Sequence, residues 1–158
     1  MEAGMRNQDF LVSKVKKHDV IVARVISSPE PQVLKAIVVE ILSTQKGIDL
    51  SALGREIDFV CSPGTWGDAQ LSIGDEAIIF ISLISNRLYE DAWRGHMLIE
   101  DIEGEKYAIY PHRELWLNEE IPSLIRENSK QDPKRPFATA IHFVAMEKYL
   151  KELIEIHG

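Results

Sequence analysis

The sequence predicts an α+β fold in which a small antiparallel β-barrel is followed by helices. Runs of β-branched residues occupy the first two thirds of the 158-residue chain. Short segments rich in Gly, Pro, Ser and Asp separate these runs, as in antiparallel hairpins. A long helical pattern appears only near the end. Strands grouped ahead of helices indicate an antiparallel sheet or barrel rather than alternating βαβ units.

The first four predicted elements are a helix, two strands that form a hairpin, and a helical turn. Residues 9–17 place apolar side chains among lysines, which predicts a short amphipathic helix. Residues 20–26 and 33–42 are β-branched runs with few residues between them, so they predict a hairpin. Residues 49–54 predict a single helical turn that a glycine ends.

Further strands complete the predicted barrel. The sequence predicts strands at 56–61 and 77–84, and a hairpin formed by 97–99 and 107–110. Five or six short strands, with a helical turn between the second and third, suit a small and partly open barrel of the OB type. We therefore place an OB-like barrel at residues 18–110.

The C-terminal part, residues 112–157, is predicted as a helical extension of the same domain, which spans residues 1–158. Residues 114–128 predict a helix that Pro122 interrupts. Residues 137–156 give the clearest helical pattern. Its apolar side chains are spaced by three, four and three residues and form one stripe: Phe143, Met146, Leu150 and Leu153.

The same helical pattern carries a second apolar set, Ile141, Val144 and Tyr149. A helix with apolar residues on two faces is either enclosed by its own domain or packs against a second copy. The sequence leaves both arrangements open, and a homodimer is one of the predicted assemblies.

Cysteine content and hydropathy narrow the class of protein. One cysteine, Cys61, excludes an internal disulfide and a cysteine-based zinc site within one chain, and it suits a reducing cytosol. The N-terminus shows no basic segment followed by an apolar core, and no apolar run approaches the roughly 18–20 residues of a membrane span. We expect a cytoplasmic protein without membrane contact.

The negative charge is concentrated in the middle of the chain. The net charge is −7, and residues 51–127 hold 15 acidic against 6 basic residues. A nucleic-acid backbone requires clusters of Lys and Arg, so this balance argues against a nucleic acid as the partner. An acidic surface attracts a basic protein by electrostatic steering.

Part of the predicted barrel resembles a known family. Residues 18–25 resemble the first strand of netrin-like domains, the fold of the tissue inhibitors of metalloproteinases. Residues 38–42 and the Lys46–Gly47 pair are similar to the second strand and its closing turn. The resemblance covers about residues 18–110 and implies a barrel with a protein-binding edge. The inhibitors bind the protease zinc through an N-terminal cysteine, whereas this chain starts with Met1; protease inhibition is therefore not implied.

No motif of known chemistry occurs in the sequence. None of the five histidines belongs to a His-Glu-x-x-His zinc motif, and the glycines at 64–67 lack the Gly-Lys-Ser/Thr ending of a phosphate-binding loop. The Gly-x-Ser-x-Gly elbow of hydrolases is also missing. We predict no cofactor and no enzymatic activity. A hydrolase with a dispersed site remains an alternative, for example one built from His96 or His112 with an acid.

The loop at 61–68 connects two predicted core strands and carries Trp66. Aromatic residues in an OB-like barrel stack nucleic-acid bases or sugars, so a binder of single-stranded nucleic acid or oligosaccharide is a second alternative. Trp and Tyr also anchor protein interfaces.

The sequence therefore predicts a non-enzymatic protein-interaction domain, such as a stoichiometric inhibitor or an immunity-type protein that binds a basic partner. The predicted binding residues are aromatic or acidic and lie in the middle of the chain: Trp66, Asp68, Glu90, Asp91, Trp93, Glu100, Asp101 and Glu103.

Overall fold

A computed structural model describes residues 7–61, 71–91, 95–110, 123–136 and 138–157. Six residues named above lie outside the described residues: Met1, Trp66, Asp68, Trp93, His112 and Pro122. The elements are, in chain order, α1 (Asn7–Lys17), β1 (Asp19–Glu30), β2 (Val33–Ile41), a 3₁₀ turn (Leu50–Ala52), β3 (Glu56–Val60), β4 (Glu76–Ile84), β5 (Arg87–Glu90), β6 (His96–Ile102), β7 (Glu105–Tyr110), α2 (Ser123–Glu127), β8 (Ser129–Gln131), β9 (Thr139–His142) and α3 (Phe143–His157).

Five strands close into a barrel in the order β1-β2-β3-β5-β4, because β1 pairs with both β2 and β4. All neighbours are antiparallel except β3 and β5, which meet in parallel at Val60 and Tyr89. The first half of β4 also pairs with β6, and the sheet continues through β7 and β9 to β8. The predicted α+β fold with a small OB-like barrel is therefore confirmed.

The barrel strands bury apolar side chains on both faces. Along β4, Ile79 and Ile81 point into the barrel and pack with Phe59. Ile78 and Phe80 point the other way, into a second core beneath the helices. Since successive side chains of a strand alternate between faces, burial of both faces explains the nearly continuous apolar sequence of β4.

The helices cover the outer face of the barrel. Leu11 and Val15 of α1 belong to the same core as Met146, Leu150 and Leu153 of α3. The apolar stripe predicted for the C-terminal helix is thus the buried face of α3. Phe143, its first member, is partly buried against this core.

The predicted helix over 137–156 begins later than expected. Thr139–His142 is strand β9, and the helix starts at Phe143. Thr139 pairs with Tyr110 and Ile141 with Ala108 of β7, so two β-branched residues extend the sheet before the helix begins. The second apolar set is consequently split between two elements, since Ile141 lies in β9 and Tyr149 is buried. Val144 is 63% exposed, and the homodimer stays a prediction.

An acidic pair connects β2 to α3. Burial and a hydrogen bond with Glu147 raise the pKa of Glu40 to about 7, from an ordinary value of 4.5. The Lys151 ammonium lies 3.6 Å from a carboxylate oxygen of each glutamate and opposes this rise. The folded protein therefore binds the Glu40 proton more tightly than the unfolded chain does.

We expect stability to fall as the pH rises from about 4.5 to about 7, because the proton favoured by the fold is lost in this window. Replacing Glu40 with glutamine should remove this slope and raise the free energy of unfolding by about 1 kcal/mol at about pH 8, a value reduced for solvent screening. Urea unfolding across this pH range measures the slope. Glu155→Gln, on the exposed side of α3, should leave it unchanged; equal slopes in all three proteins would contradict the assignment.

Candidate functional site

An open, polar cleft lies where the turn before β4 meets β6. Its volume is about 350 Å³. Four acidic residues line it, Asp75, Glu76, Glu100 and Asp101, together with the basic residues Arg24 and Lys134. We call it the acidic cleft. It contains two of the predicted binding residues, Glu100 and Asp101.

One wall of the acidic cleft is a turn fastened to β1. The Asp75 carboxylate accepts a hydrogen bond from the Ser72 amide at 2.9 Å. The Val25 amide donates to the Asp75 carbonyl at 2.8 Å, and the Gly74 amide donates to the Val25 carbonyl at 2.9 Å. Gly74 has a φ of +96°, which favours glycine. These bonds hold Asp75 and the adjacent Glu76 in place.

The opposite wall is β6, where Glu100 is held by an arginine. Arg135 donates to both Glu100 carboxylate oxygens, at 2.6 and 3.2 Å, and to the buried Asp132 at 2.9 Å. The hydrogen bond with Glu100 raises the pKa of the Arg135 guanidinium, and Asp132 adds to this effect. A two-pronged contact between guanidinium and carboxylate fixes the geometry of both groups. Glu100 is thus a rigid part of the cleft wall.

Asp101 and Glu103 lie further along the same hairpin. Asp101 is exposed and pairs with Lys106 across the β6–β7 ladder. Glu103 and Gly104 form the turn, with φ values of 55° and 87°, as in the tight turns that join antiparallel strands. Lys130 approaches Glu103 at 3.7 Å. Asp101 lines the acidic cleft, and Glu103 extends the negative edge beyond it.

Glu90 and Asp91 lie elsewhere, at the other end of β6 and beneath α1. The Glu90 carboxylate is enclosed in the protein and lies 2.5 Å from the Nδ1 atom of His96. The Asp91 carboxylate contacts the ammonium group of Lys14 and lies 3.3 Å from the Nε2 atom of His18. These five residues form what we call the acid–histidine cluster.

The charges around Asp91 keep it ionised. Burial alone would raise the pKa of this carboxyl, but hydrogen bonds from His18 and Lys14, together with their charges, hold it well below its usual range. The ammonium group of Lys14 is itself buried. This partly buried carboxylate with two basic partners fastens the end of α1 to the barrel.

The structure therefore divides the predicted binding residues into two groups. Glu100, Asp101 and Glu103 follow one another at one end of β6, whereas Glu90 is buried and Asp91 partly buried near the other end. Sequence reasoning missed Asp75 and Glu76. The available signal was the Ser72-x-x-Asp75 spacing, which is typical of a side chain that caps a turn ahead of a strand.

Two properties of the described residues bear on metal binding and on membrane spanning. Nowhere in these ranges do three His, Cys, Asp or Glu side chains come together in a way that could hold a metal ion. Within the same part of the chain, no helix is both long enough and apolar enough to cross a membrane. Comparisons of the chain with protein-family models, curated proteins and solved structures found no match.

Proposed function

We propose that this protein is an interaction domain that binds a basic protein partner through the acidic cleft. The observation that carries the proposal is that four acidic residues, around the start of β4 and on β6, line one open cleft of about 350 Å³. Sites for small organic ligands are lined mainly by apolar and aromatic side chains. The polar lining of this cleft suits Lys or Arg side chains of a protein surface better.

The outer face of the barrel beside the cleft supports the same class of partner. The side chains of residues that pair across neighbouring strands point to the same side of the sheet. Glu76 pairs with Arg24, Arg24 pairs with Ile37, and Ile37 pairs with Glu56, so these four residues form one row across the barrel. On this face Lys35 lies 2.9 Å from Asp58 and 4.0 Å from Glu56. Acidic residues thus equal or outnumber basic residues on this face of the barrel. This charge balance suits a basic protein partner better than a phosphate backbone.

We further propose that binding is stoichiometric, as for an inhibitor or an immunity-type protein that neutralises a basic toxin. The support is the rigidity of the cleft walls. Asp75 is fixed by backbone hydrogen bonds to β1, and Glu100 is fixed by Arg135. Preformed walls lose little conformational entropy when a partner binds, which favours a tight complex.

The test is a charge reversal at the exposed edge of the cleft. In Asp101→Lys/Glu103→Lys both changes fall on exposed residues, so the fold should persist. Glu152→Lys/Glu155→Lys on α3 changes the net charge equally and is the matched control. We expect the cleft variant to lose affinity at least tenfold, because like charges then face each other across the interface.

The measurement is carbodiimide cross-linking in an extract of the native organism, with mass spectrometry of the products. Wild type and control should give the same 1:1 product with a basic protein, linked at cleft carboxylates, and its yield should fall with added salt. The cleft variant should give little of it. Equal yields from the cleft variant and the control would overturn the proposal.

A further inference from the structure

Three side chains with complementary chemistry meet at the C-terminal end of α1. The Nδ1 atom of His18 lies 2.7 Å from the Ser82 hydroxyl oxygen. The Nε2 atom of the same ring lies 3.3 Å from the Asp91 carboxylate. Ser82 lies on β4 and Asp91 follows β5; the β4–β5 hairpin pairs Ser82 with Tyr89 and so brings the two residues close together.

Asp91 selects the histidine tautomer that a base requires. Because the carboxylate is ionised, it accepts a hydrogen bond from His18 Nε2–H, and the Nδ1 atom then carries a lone pair. That lone pair faces the Ser82 hydroxyl group. The Lys17 carbonyl is a second acceptor for this hydroxyl, at the longer distance of 3.2 Å. Lys14 contacts the same carboxylate oxygen of Asp91, Oδ2.

We propose that Ser82, His18 and Asp91 form a site for hydrolysis of carboxylic esters with Ser82 as the nucleophile, an activity separate from binding at the acidic cleft. The arrangement matches a serine–histidine–aspartate triad in roles, although no sequence motif announces it. Ser82 and His18 are the catalytic residues. Asp91 and Lys14 are positioning residues that act through His18.

The reaction runs in two balanced steps. The Ser82 oxygen attacks the ester carbonyl carbon while His18 Nδ1 takes the hydroxyl proton; the bond to the alkoxy group breaks, and that group leaves with the proton from His18. Water then attacks the acyl-serine and gives its proton to His18. The carboxylic acid departs as Ser82 recovers its proton, and the site returns to its starting state.

The neighbouring surface indicates an apolar ester. Ile84 lies two residues beyond Ser82, so it points to the same side of β4. Its side chain is 55% exposed. This side chain offers contact to a short apolar acyl group close to the nucleophile.

A fluorophosphonate probe, which phosphonylates activated serines, tests the nucleophile. Mass spectrometry of the intact full-length chain should show one adduct, located on Ser82, and Ser82→Ala should abolish it. Ser51→Ala is the matched control, because Ser51 is an exposed serine that donates to the Asp49 carboxylate without a histidine. Labelling of Ser51 and Ser82 at the same rate, or no labelling of the folded protein, would overturn the proposal.

A cysteine variant at position 82 tests whether His18 acts as the base. In Ser82→Cys, iodoacetamide alkylation reports the thiolate fraction at each pH, and wild type gives the background from the buried Cys61. We expect alkylation near neutral pH to be about 10²-fold faster than in Ser82→Cys/His18→Asn, with a profile shifted to lower pH. Identical pH profiles would show that His18 has only a structural role and would overturn the proposal.

Discussion

Gly95→Ala is expected to lower the free energy of unfolding by about 3 kcal/mol, at the upper end of overpacking costs. A β-carbon at Gly95 would lie 2.3 Å from the Asp91 carbonyl oxygen and 2.4 Å from the Glu90 γ-carbon. The Glu90 carboxylate is enclosed beside His96, so its side chain has little room to move. The Gly95 carbonyl also accepts a hydrogen bond from Phe80 on β4. Urea unfolding followed by circular dichroism gives the change.

Gly104→Ala is the matched comparison for this prediction. Gly104 has a φ of +87°, and no atom lies within 4 Å of an added β-carbon. Its cost is therefore backbone strain alone, about 1 kcal/mol. If the two alanine variants lose equal stability, close packing against Glu90 and Asp91 is not what requires glycine at position 95.

Asp19→Ala is expected to cost about 3 kcal/mol, because it leaves buried amide groups without an acceptor. The Asp19 side chain is almost completely buried. Its two oxygens accept hydrogen bonds from the Lys46 amide at 2.9 Å, and one accepts from the Ile48 amide at 2.8 Å. The carboxylate thus holds the segment that leads from β2 to the 3₁₀ turn against the start of β1.

Asp49→Ala controls for the loss of a carboxylate that binds amides. Asp49 is exposed and accepts from the Ser51 amide at 2.7 Å at the start of the 3₁₀ turn. Because water can replace this acceptor, its loss should cost about 1 kcal/mol. Thermal unfolding of both variants gives the comparison. A cost for Asp19→Ala no greater than that for Asp49→Ala would contradict the role given to burial.

Sequence patterns predicted those elements of the fold whose residues show a clear strand or helix periodicity. The β-branched runs identified β1 and β2, and the apolar stripe identified the buried face of α3. Strand β5 was missed because Arg87–Glu90 is only four residues long and half charged. Strand β9 was missed because its apolar residues continue the helical spacing of α3. Pairing with β7 and β8 distinguishes the strand from the helix, and the pairing with β7 joins distant parts of the chain.

Contacts between residues that are distant in the sequence also limit what could be predicted about the candidate binding residues. Glu100 and Asp101 are neighbours in the sequence, so their joint position at one edge could be predicted. The ion pairs of Asp91 could not, because its partners Lys14 and His18 are more than seventy positions away along the chain. A carboxylate next to another in sequence usually lies in solvent, and only tertiary contacts give it buried or partly buried basic partners.

The parallel contact of β3 with β5 has a consequence for local motion. One residue pair, Val60 with Tyr89, closes the barrel there, whereas β1 and β2 share a long ladder. Local opening occurs at the lowest free energy where few backbone hydrogen bonds must break. The same short strand leads into Glu90 and Asp91, whose ion pairs fasten it to α1 and β6. The acid–histidine cluster therefore fastens the strand beside the weakest contact of the barrel and opposes local opening there.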